Sequence, residues 1–544
     1  MSTGRRRRAP VRSGRRPALI AAGAVVAAGA VVAAVVLWPS GDGEPTGASV
    51  SSASRSAAAS RSSAAASATR TYPLSQAPRT IPAVREHTPA RGPGWRPAAG
   101  GRVVVDDAGL ADEGKLIAGE LKLSYAGRTQ ARDGDVELGL NDTAADPESY
   151  TLTVKNRRVT ISAPGQAGVF YGTRTLKQEV HGGGTAPEGV VRDRPAKSRR
   201  GFMLDIARKH FTAAWIEDRV RELADLKFNE LGLHFSDDQG FRIQSDTHPE
   251  IVSRQHLSKT EVKDIIDLAE SRHIRVVPEI DSPGHLGAVI AAHPDLQLRN
   301  ASGVPTRGAV DISKPASAGI VDDLLNEYAG LFPGPYWHLG GDEYQALTVA
   351  NPATSYPQLA AASRKLFGAG GSVADLTTGW LNDRAAVVRG HDRTSRAWND
   401  GFFRGGSVQA AKDIEVAYWT GKEIGARPPA EYLSAGRELI NYNDEFLYYV
   451  LGEPQTFVYP TGQRIYEQWT PLVLRGTTPV PSRYDGQILG GSFAVWCDLA
   501  GSQTQDQVAA GIRMPLRATI QKLWDPGRPD LSWTGFKSLA DRLG

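Results

Sequence analysis

Cysteine is nearly missing from this chain: Cys497 is the only one in 544 residues. That excludes an intramolecular disulfide framework and any zinc or iron–sulfur site built from several thiolates. No two histidines stand at the H-x-x-x-H spacing that puts two ligands on one helix face. The folded body also lacks an excess of positive charge, although the whole chain has a formal net charge of +4. Residues 1–72 hold ten Arg against two acids, Asp42 and Glu44. Without that stretch, 53 basic and 57 acidic residues remain, a net of −4, so a nucleic-acid partner is not expected.

What is there begins with an address. Arg5 to Arg8, Arg12, Arg15 and Arg16 form a basic segment over 1–16, and an uncharged run follows over 17–39. Ala18–Trp38 has 21 residues, about 31 Å as a helix, close to a bilayer core of about 30 Å. It reads as an uncleaved anchor, a cleaved signal, or a twin-arginine signal at Arg15-Arg16. The arginines stay in the cytoplasm, which places the rest outside, membrane-anchored or secreted. Residues 40–74 are rich in Ser and Ala and read as a flexible tether.

Two α/β units follow. Residues 75–196 contain Ser149–Val154 and Val159–Ala163, alternating like paired strands about a turn at Asn156-Arg157, then a helical stretch from Gly168 to Val180. This unit holds no compact cluster of Asp, Glu, His or Cys and reads as a support domain. In 197–544, eight short apolar runs appear: Gly201–Ile206, Glu230–Phe235, Ile274–Ile280, Tyr336–Leu339, Thr394–Trp398, Glu415–Trp419, Glu438–Asn441 and Ile488–Trp496. Helical faces separate them, such as Ile216, Val220, Leu223 and then Val262, Ile265, Ile266, Ala269. The pattern predicts a (β/α)8 barrel. An open doubly wound sheet is the alternative, weakened because no glycine-rich phosphate loop follows the first run.

In such a barrel the chemistry sits where strands end. Here those ends are polar: Asp205 and Arg208; Ser236-Asp237-Asp238-Gln239; Glu279-Ile280-Asp281-Ser282-Pro283-Gly284-His285; His338-Leu339-Gly340-Gly341-Asp342-Glu343; Trp398-Asn399-Asp400; Trp419; Tyr448 and Tyr449; Trp496-Cys497-Asp498. Each alone has an ordinary explanation as a cap or core residue. Together, carboxylates, one His, one Arg and several indoles at one mouth suit a sugar, whose C–H faces pack on rings and whose hydroxyls need polar partners. Asp342 and Glu343 are neighbours, and neighbours rarely straddle a glycosidic bond as two facing carboxyls do. Adjacency fits a substrate whose own C2 acetamido group attacks C1 to give an oxazolinium ion, while one carboxylate steadies it.

These residues resemble glycoside hydrolase family 20, the β-N-acetylhexosaminidases, over about residues 75–540. The carriers are Arg200-Gly201-Phe202-Met203-Leu204-Asp205 through Arg208, Ser236-Asp237-Asp238-Gln239-Gly240-Phe241-Arg242, Pro278-Glu279-Ile280-Asp281-Ser282-Pro283-Gly284-His285 and His338-Leu339-Gly340-Gly341-Asp342-Glu343, with Gly168-Val169-Phe170-Tyr171-Gly172 in the small domain. The resemblance implies Glu343 as general acid and base, Asp342 as the group that orients the acetamide, and Tyr448, or else Tyr449, on the acetamido oxygen. It further implies Arg208 on sugar hydroxyls, Trp398, Trp419 and Trp496 as pocket walls, and Asp237 and His285 tuning Glu343. An acid needs a raised pKa and a charge stabiliser a lowered one, so the two adjacent carboxyls need different environments. N-acetylhexosamine-containing glycans are the implied substrates, and no metal or other cofactor is implied.

Two positions depart from the family's pattern. Tyr448-Tyr449-Val450 stands where many members have Tyr-x-Asp, and Trp496-Cys497-Asp498 where many have Trp-x-Glu; the resemblance implies that both positions contact outer sugar hydroxyls, with Asp498 binding substrate. With an insertion expected beside the mouth around 345–392, these departures resemble the lacto-N-biosidase branch, which releases a disaccharide. Two other classes are weighed. A non-catalytic sugar-binding protein would not need both Asp342 and Glu343. A metal-dependent hydrolase would use Asp237, Asp281 and His285.

Overall fold

The computed structural model describes residues 71–143, 145–422, 426–527 and 529–544. The basic segment, the apolar run 17–39 and most of the tether lie outside the described residues. Among the described residues no helix is long and apolar enough to cross a membrane.

The eight runs form the eight strands of a closed parallel barrel: Arg199–Asp205, Glu230–His234, Arg275–Glu279, Tyr336–His338, Thr394–Trp398, Glu415–Tyr418, Leu439–Asn441 and Ile488–Trp496. Closure comes from strand eight, which pairs in parallel with strand one (Phe493 opposite Phe202) and with strand seven (Leu439 opposite Ile488). Strand one is buried at every position, as expected of a parallel strand covered on both faces. The intervening helices follow their apolar spacing. Ala213–Asp225 buries Ile216, Val220 and Leu223 and is capped by the Thr212 hydroxyl, which accepts from Trp215 N. Lys259–Glu270 starts at a reciprocal Ser258–Glu261 capping box.

The seventh strand is divided. After Leu439–Asn441 the chain leaves the barrel wall, then returns as Tyr448–Val450 to pair with the far end of strand eight, Tyr448 opposite Ala494. This re-entry carries Tyr448 to the mouth.

The small domain is a seven-stranded mixed sheet in the order Glu86–Pro89, Gly189–Asp193, Tyr150–Lys155, Arg158–Ala163, Val136–Leu140, Arg102–Val105, Ser124–Tyr125. Asn156 and Arg157 both have positive φ, 53° and 62°, the conformation of a two-residue hairpin turn whose twist suits its strands. The helix Gln166–Gly183 covers one face. The domain is bolted to the barrel through buried charge: Arg200 of strand one pairs with Glu148 at 2.8 Å, and Arg174 with Asp225 at 3.0 Å.

The segment 345–392 touches the loop after strand three, where Trp380 Nε1 donates to Ser282 Oγ at 3.0 Å. Its last helix, Val373–Gly390, joins strands four and five as an ordinary barrel helix. Leu359, Ala360, Leu376, Trp380 and Leu381 turn inward, and their burial holds the segment against the body of the protein. None of its residues lines the cavity at the barrel mouth.

Candidate active site

At the C-terminal end of the barrel lies a cavity of about 280 Å³, at the small end of the range for ligand pockets. Arg208, His285, Asp342, Glu343, Trp419, Tyr448, Trp496 and Asp498 all line it. Eight of the ten residues singled out from the sequence thus meet in one place.

The loop after strand four is shaped by its glycines. Gly340 has φ 66°, and a Cβ there would fall 1.7 Å from Asp281 Oδ1, so no other residue fits. Gly341 N–H donates to that same carboxylate oxygen at 2.8 Å. The turn presents Asp342 inward and Glu343, itself at φ 49°, toward the opening. The Glu343 side chain is 45% exposed, that of Asp342 only 13%. Asp400, after strand five, accepts from Glu343 N–H at 3.0 Å and from Trp419 Nε1 at 2.8 Å. One buried carboxylate therefore locks both the loop and an indole wall.

Behind Glu343 runs a chain of alternating charges. His285 Nε2 lies 3.4 Å from Glu343 Oε2 and 3.7 Å from Asp342 Oδ2. His285 Nδ1 lies 3.4 Å from Asp237 Oδ1, and Asp237 Oδ2 is 2.7 Å from Arg208 and 2.8 Å from His234. His234 continues to Glu279 at 3.0 Å, which also meets His338 at 3.2 Å and accepts from Trp398 Nε1 at 2.8 Å. Asp237, the one predicted residue that lies just behind the cavity, is a node of this chain. His234 escaped the sequence reading, and Glu279 appeared there without a role. Both sit inside ordinary strand runs, and only the alternation of inward-facing positions could have marked them.

The two adjacent carboxyls stand in different environments. Burial alone would lower His285, but Asp237, Asp342 and Asp281 hold its imidazole protonated well above the usual histidine range. The hydrogen bond from His285 in turn holds Glu343 below the ordinary glutamate value. Asp342 is pushed well up, first by burial and then by the neighbouring Asp281 carboxylate. Asp281 itself rises to about 7 through burial. Asp400 is pushed to about 6, also by burial. Burial, with Asp281 beside it, thus raises Asp342, while the His285 hydrogen bond lowers Glu343, and Asp281 and Asp342 titrate as a unit.

The aromatic walls also need one correction. Trp419 stacks parallel to Tyr448, with centroids 5.8 Å apart and planes at 4°, and Trp496 lies 5.7 Å from Tyr448. Trp398, expected as a third wall, is 1% exposed and does not line the cavity. It points down the barrel, where Glu279 fixes its N–H, and supports Trp496 at 5.8 Å. Of the two tyrosines, Tyr448 faces the cavity. Tyr449 points to the opposite side, stacking on Tyr459 and meeting Gln503. Strand alternation makes this division.

No motif marked Lys422, Asp444, Gln455, Thr456 and Phe457, which complete the lining from the loops after strands six and seven. Lys422 pairs with buried Asp444 at 2.7 Å. Val450 presents an apolar side chain to the cavity where the family pattern has a carboxylate.

The site thus combines an acid pair in the loop after strand four of a (β/α)8 barrel, carboxylates facing cations beside it, and stacked aromatic walls. The chain belongs to glycosyl hydrolase family 20: the family's catalytic-domain model matches residues 198–514, and its domain 2 model matches residues 77–194. The chain is 28% identical over 476 residues to a lacto-N-biosidase of Bifidobacterium bifidum, covering 86% of this chain and 42% of that one. It is 30% identical over 266 residues to a β-hexosaminidase of Porphyromonas gingivalis, covering 42% of this chain and 34% of that one. It therefore spans less than half the length of either relative. Among solved structures, the family 20 β-N-acetylhexosaminidase of Streptomyces coelicolor A3(2) superposes with a TM-score of 0.69 at 23% identity, over 86% of this chain and 95% of that one.

Proposed function

We propose that the protein hydrolyses β-linked N-acetylhexosaminides from non-reducing ends, with retention, the substrate's own acetamido group acting as nucleophile. The observation that carries this reading is the position of Asp342: recessed beneath the exposed Glu343, and close enough to Tyr448 for its charge to help raise that hydroxyl's pKa, after burial. The other cavity carboxylates face cations, Asp444 at Lys422 and Asp498 at Arg208. That suits hydroxyl binding better than nucleophilic attack.

In this mechanism the acetamido carbonyl oxygen attacks C1 while Glu343 gives its proton to the glycosidic oxygen, and the C1–O bond breaks. Asp342 accepts the acetamido N–H as it gains positive character, and Tyr448 O–H donates to the carbonyl oxygen. Water, deprotonated by Glu343, then opens the oxazolinium at C1. The proton taken from water restores the acid form of Glu343 for the next cycle, and His285, 3.4 Å away, holds a proton beside it in the free site. Tyr448→Phe leaves the acetamide oxygen without its donor, and kcat/KM should fall about 10- to 100-fold. An unchanged value for Tyr448→Phe alongside a fall for Tyr449→Phe would move the role to Tyr449.

The charge chain gives a pH prediction. The bell-shaped profile of kcat/KM needs Asp342 ionised on its acidic limb and Glu343 protonated on its basic limb. The His285 cation favours the ionised form of both carboxyls. His285→Asn removes it, both pKa values rise, and both limbs should move to higher pH, with a lower maximum. A profile reduced in height but fixed in position would show that His285 does not tune these groups.

A second reading, release of lacto-N-biose, rests on two observations: the match to a lacto-N-biosidase over 86% of this chain, and Val450 beside a cavity that continues to Lys422, Asp444 and Gln455. Aryl glycosides of N-acetylglucosamine, N-acetylgalactosamine and lacto-N-biose distinguish the two. Release from the monosaccharides supports the first reading, and release from the disaccharide alone the second. We also infer from the basic segment and the apolar run 17–39 that the enzyme works outside the cytoplasmic membrane, held by the Ser/Ala-rich tether. Membrane fractionation with and without residues 1–40 tests this.

A further inference from the structure

Away from the cavity, two short turns face one another. One is His248-Pro249-Glu250-Ile251, in the loop after strand two; the other is His293-Pro294-Asp295-Leu296, in the loop after strand three. The following proline keeps each histidine out of the helical region: His248 has φ −133° and ψ 62°, His293 φ −125° and ψ 69°. The two rings cross nearly at right angles, with centroids 6.3 Å apart. Both aim a nitrogen at a single oxygen: His248 Nδ1 is 3.0 Å and His293 Nε2 is 2.9 Å from Glu250 Oε1. His248 Nε2 lies 3.4 Å from Asp323 Oδ2, on the helix Pro315–Ala329. A neutral imidazole has one N–H, yet His248 has a carboxylate at each nitrogen. Either a second proton on the ring or a metal ion between Nδ1 and the Glu250 oxygen satisfies both carboxylates.

We propose that His248 Nδ1, His293 Nε2 and Glu250 Oε1 form a site for a divalent transition metal of the zinc type, clamping together the loops after strands two and three. With metal–ligand bonds of about 2.0–2.2 Å, adjacent donors in tetrahedral or octahedral complexes stand about 2.9–3.4 Å apart, the spacing each nitrogen keeps from the Glu250 oxygen, and all three donors lie within 4.8 Å of one another. Two imidazoles and one carboxylate favour Zn²⁺ and its neighbours over Mg²⁺ or Ca²⁺. A carboxylate on the far nitrogen of a ligating histidine is the usual support for such a ligand, and Asp323 holds that place. Water completes the coordination, since the Glu250 and His293 side chains are 42% and 30% exposed. The site is separate from the reaction. Its reach toward catalysis is through the helix Gly287–Ala292, which ends at His293 and begins two residues after His285.

The test is calorimetric titration of the chelator-treated full chain with ZnCl2 near neutral pH, with melting temperature read in parallel. One equivalent should bind with a Kd near or below ~1 µM and raise the melting temperature. His293→Gln should weaken binding by more than about 100-fold, and Asp323→Asn by about 10-fold. Circular dichroism should show both variants folded. A second group, Asp281, His285 and Asp342, also has its donor atoms within 4.8 Å of one another, so Asp342→Asn is the control and should bind Zn²⁺ as the wild type does. Three results would overturn the proposal: no saturable binding, binding indifferent to His293→Gln, or binding lost in Asp342→Asn.

Discussion

Glu343→Gln should abolish nearly all turnover of natural glycans, by about 10²–10⁴-fold or more, and much less of the first step with a nitrophenyl glycoside. The difference follows from the leaving group. An alkoxide leaves only as its oxygen is protonated, whereas a nitrophenolate leaves without help. The glutamine keeps the size of Glu343, and the backbone N–H that Asp400 accepts is untouched, so the loop should stay in place. The loss is then of the proton alone. Glu343 is the most exposed of the site's carboxyls next to His285, which fits a group that must meet first the leaving oxygen and then water. Equal losses on both substrate types would indicate a role in binding or folding instead. Steady-state and burst kinetics on a chitobiose-type substrate and its nitrophenyl counterpart separate these outcomes.

Asp342→Asn should lower turnover by about 10²–10³-fold on both substrate types, the scale of losing one preorganised partner to a developing charge. Unlike Glu343, Asp342 acts where the leaving group has no influence. It sits recessed, its carboxyl raised in the free site by burial and by Asp281, with His285 the counter-charge. Positive charge developing on the acetamide nitrogen favours the proton of the Asp281–Asp342 pair residing on Asp281, which leaves Asp342 anionic where it is needed. An asparagine can orient the acetamide but cannot neutralise it. The variant should therefore also lose affinity for a thiazoline analogue of the oxazolinium, while Glu343→Gln keeps most of it. Thiazoline inhibition constants for wild type and both variants check this, and undiminished affinity in Asp342→Asn would remove Asp342 from the role.

The barrel was legible in the sequence because parallel strands are buried on both faces and read as short apolar runs; strand one, Arg199–Asp205, is the clearest. The acid loop was legible for another reason. Gly340 is demanded by the close approach of Asp281, so backbone geometry forces the motif. What stayed hidden depends on contacts made only when the barrel closes. His234 and Glu279 look like strand residues until closure sets them between Asp237 and Trp398. The depth of Trp398 is likewise a packing result. The particular environments of the two carboxyls come from the burial of Asp342 and from Asp281 and His285, two residues of the loop after strand three. Lys422, Asp444 and Phe457 sit on irregular loops with no periodicity to mark them.

The central claim is that the substrate's acetamide is the nucleophile. Nitrophenyl N-acetylglucosaminides, or the corresponding lacto-N-biosides if only these are cleaved, can be prepared with mono-, di- and trifluoroacetyl groups. Fluorine withdraws electrons from the carbonyl oxygen with little change in size. The account predicts that kcat/KM falls steeply and progressively along the series, and that Asp342→Asn flattens the slope by making a later step or poor binding dominate. A flat series in the wild type, at unchanged affinity, would contradict it and assign the attack on C1 to a carboxylate of the protein.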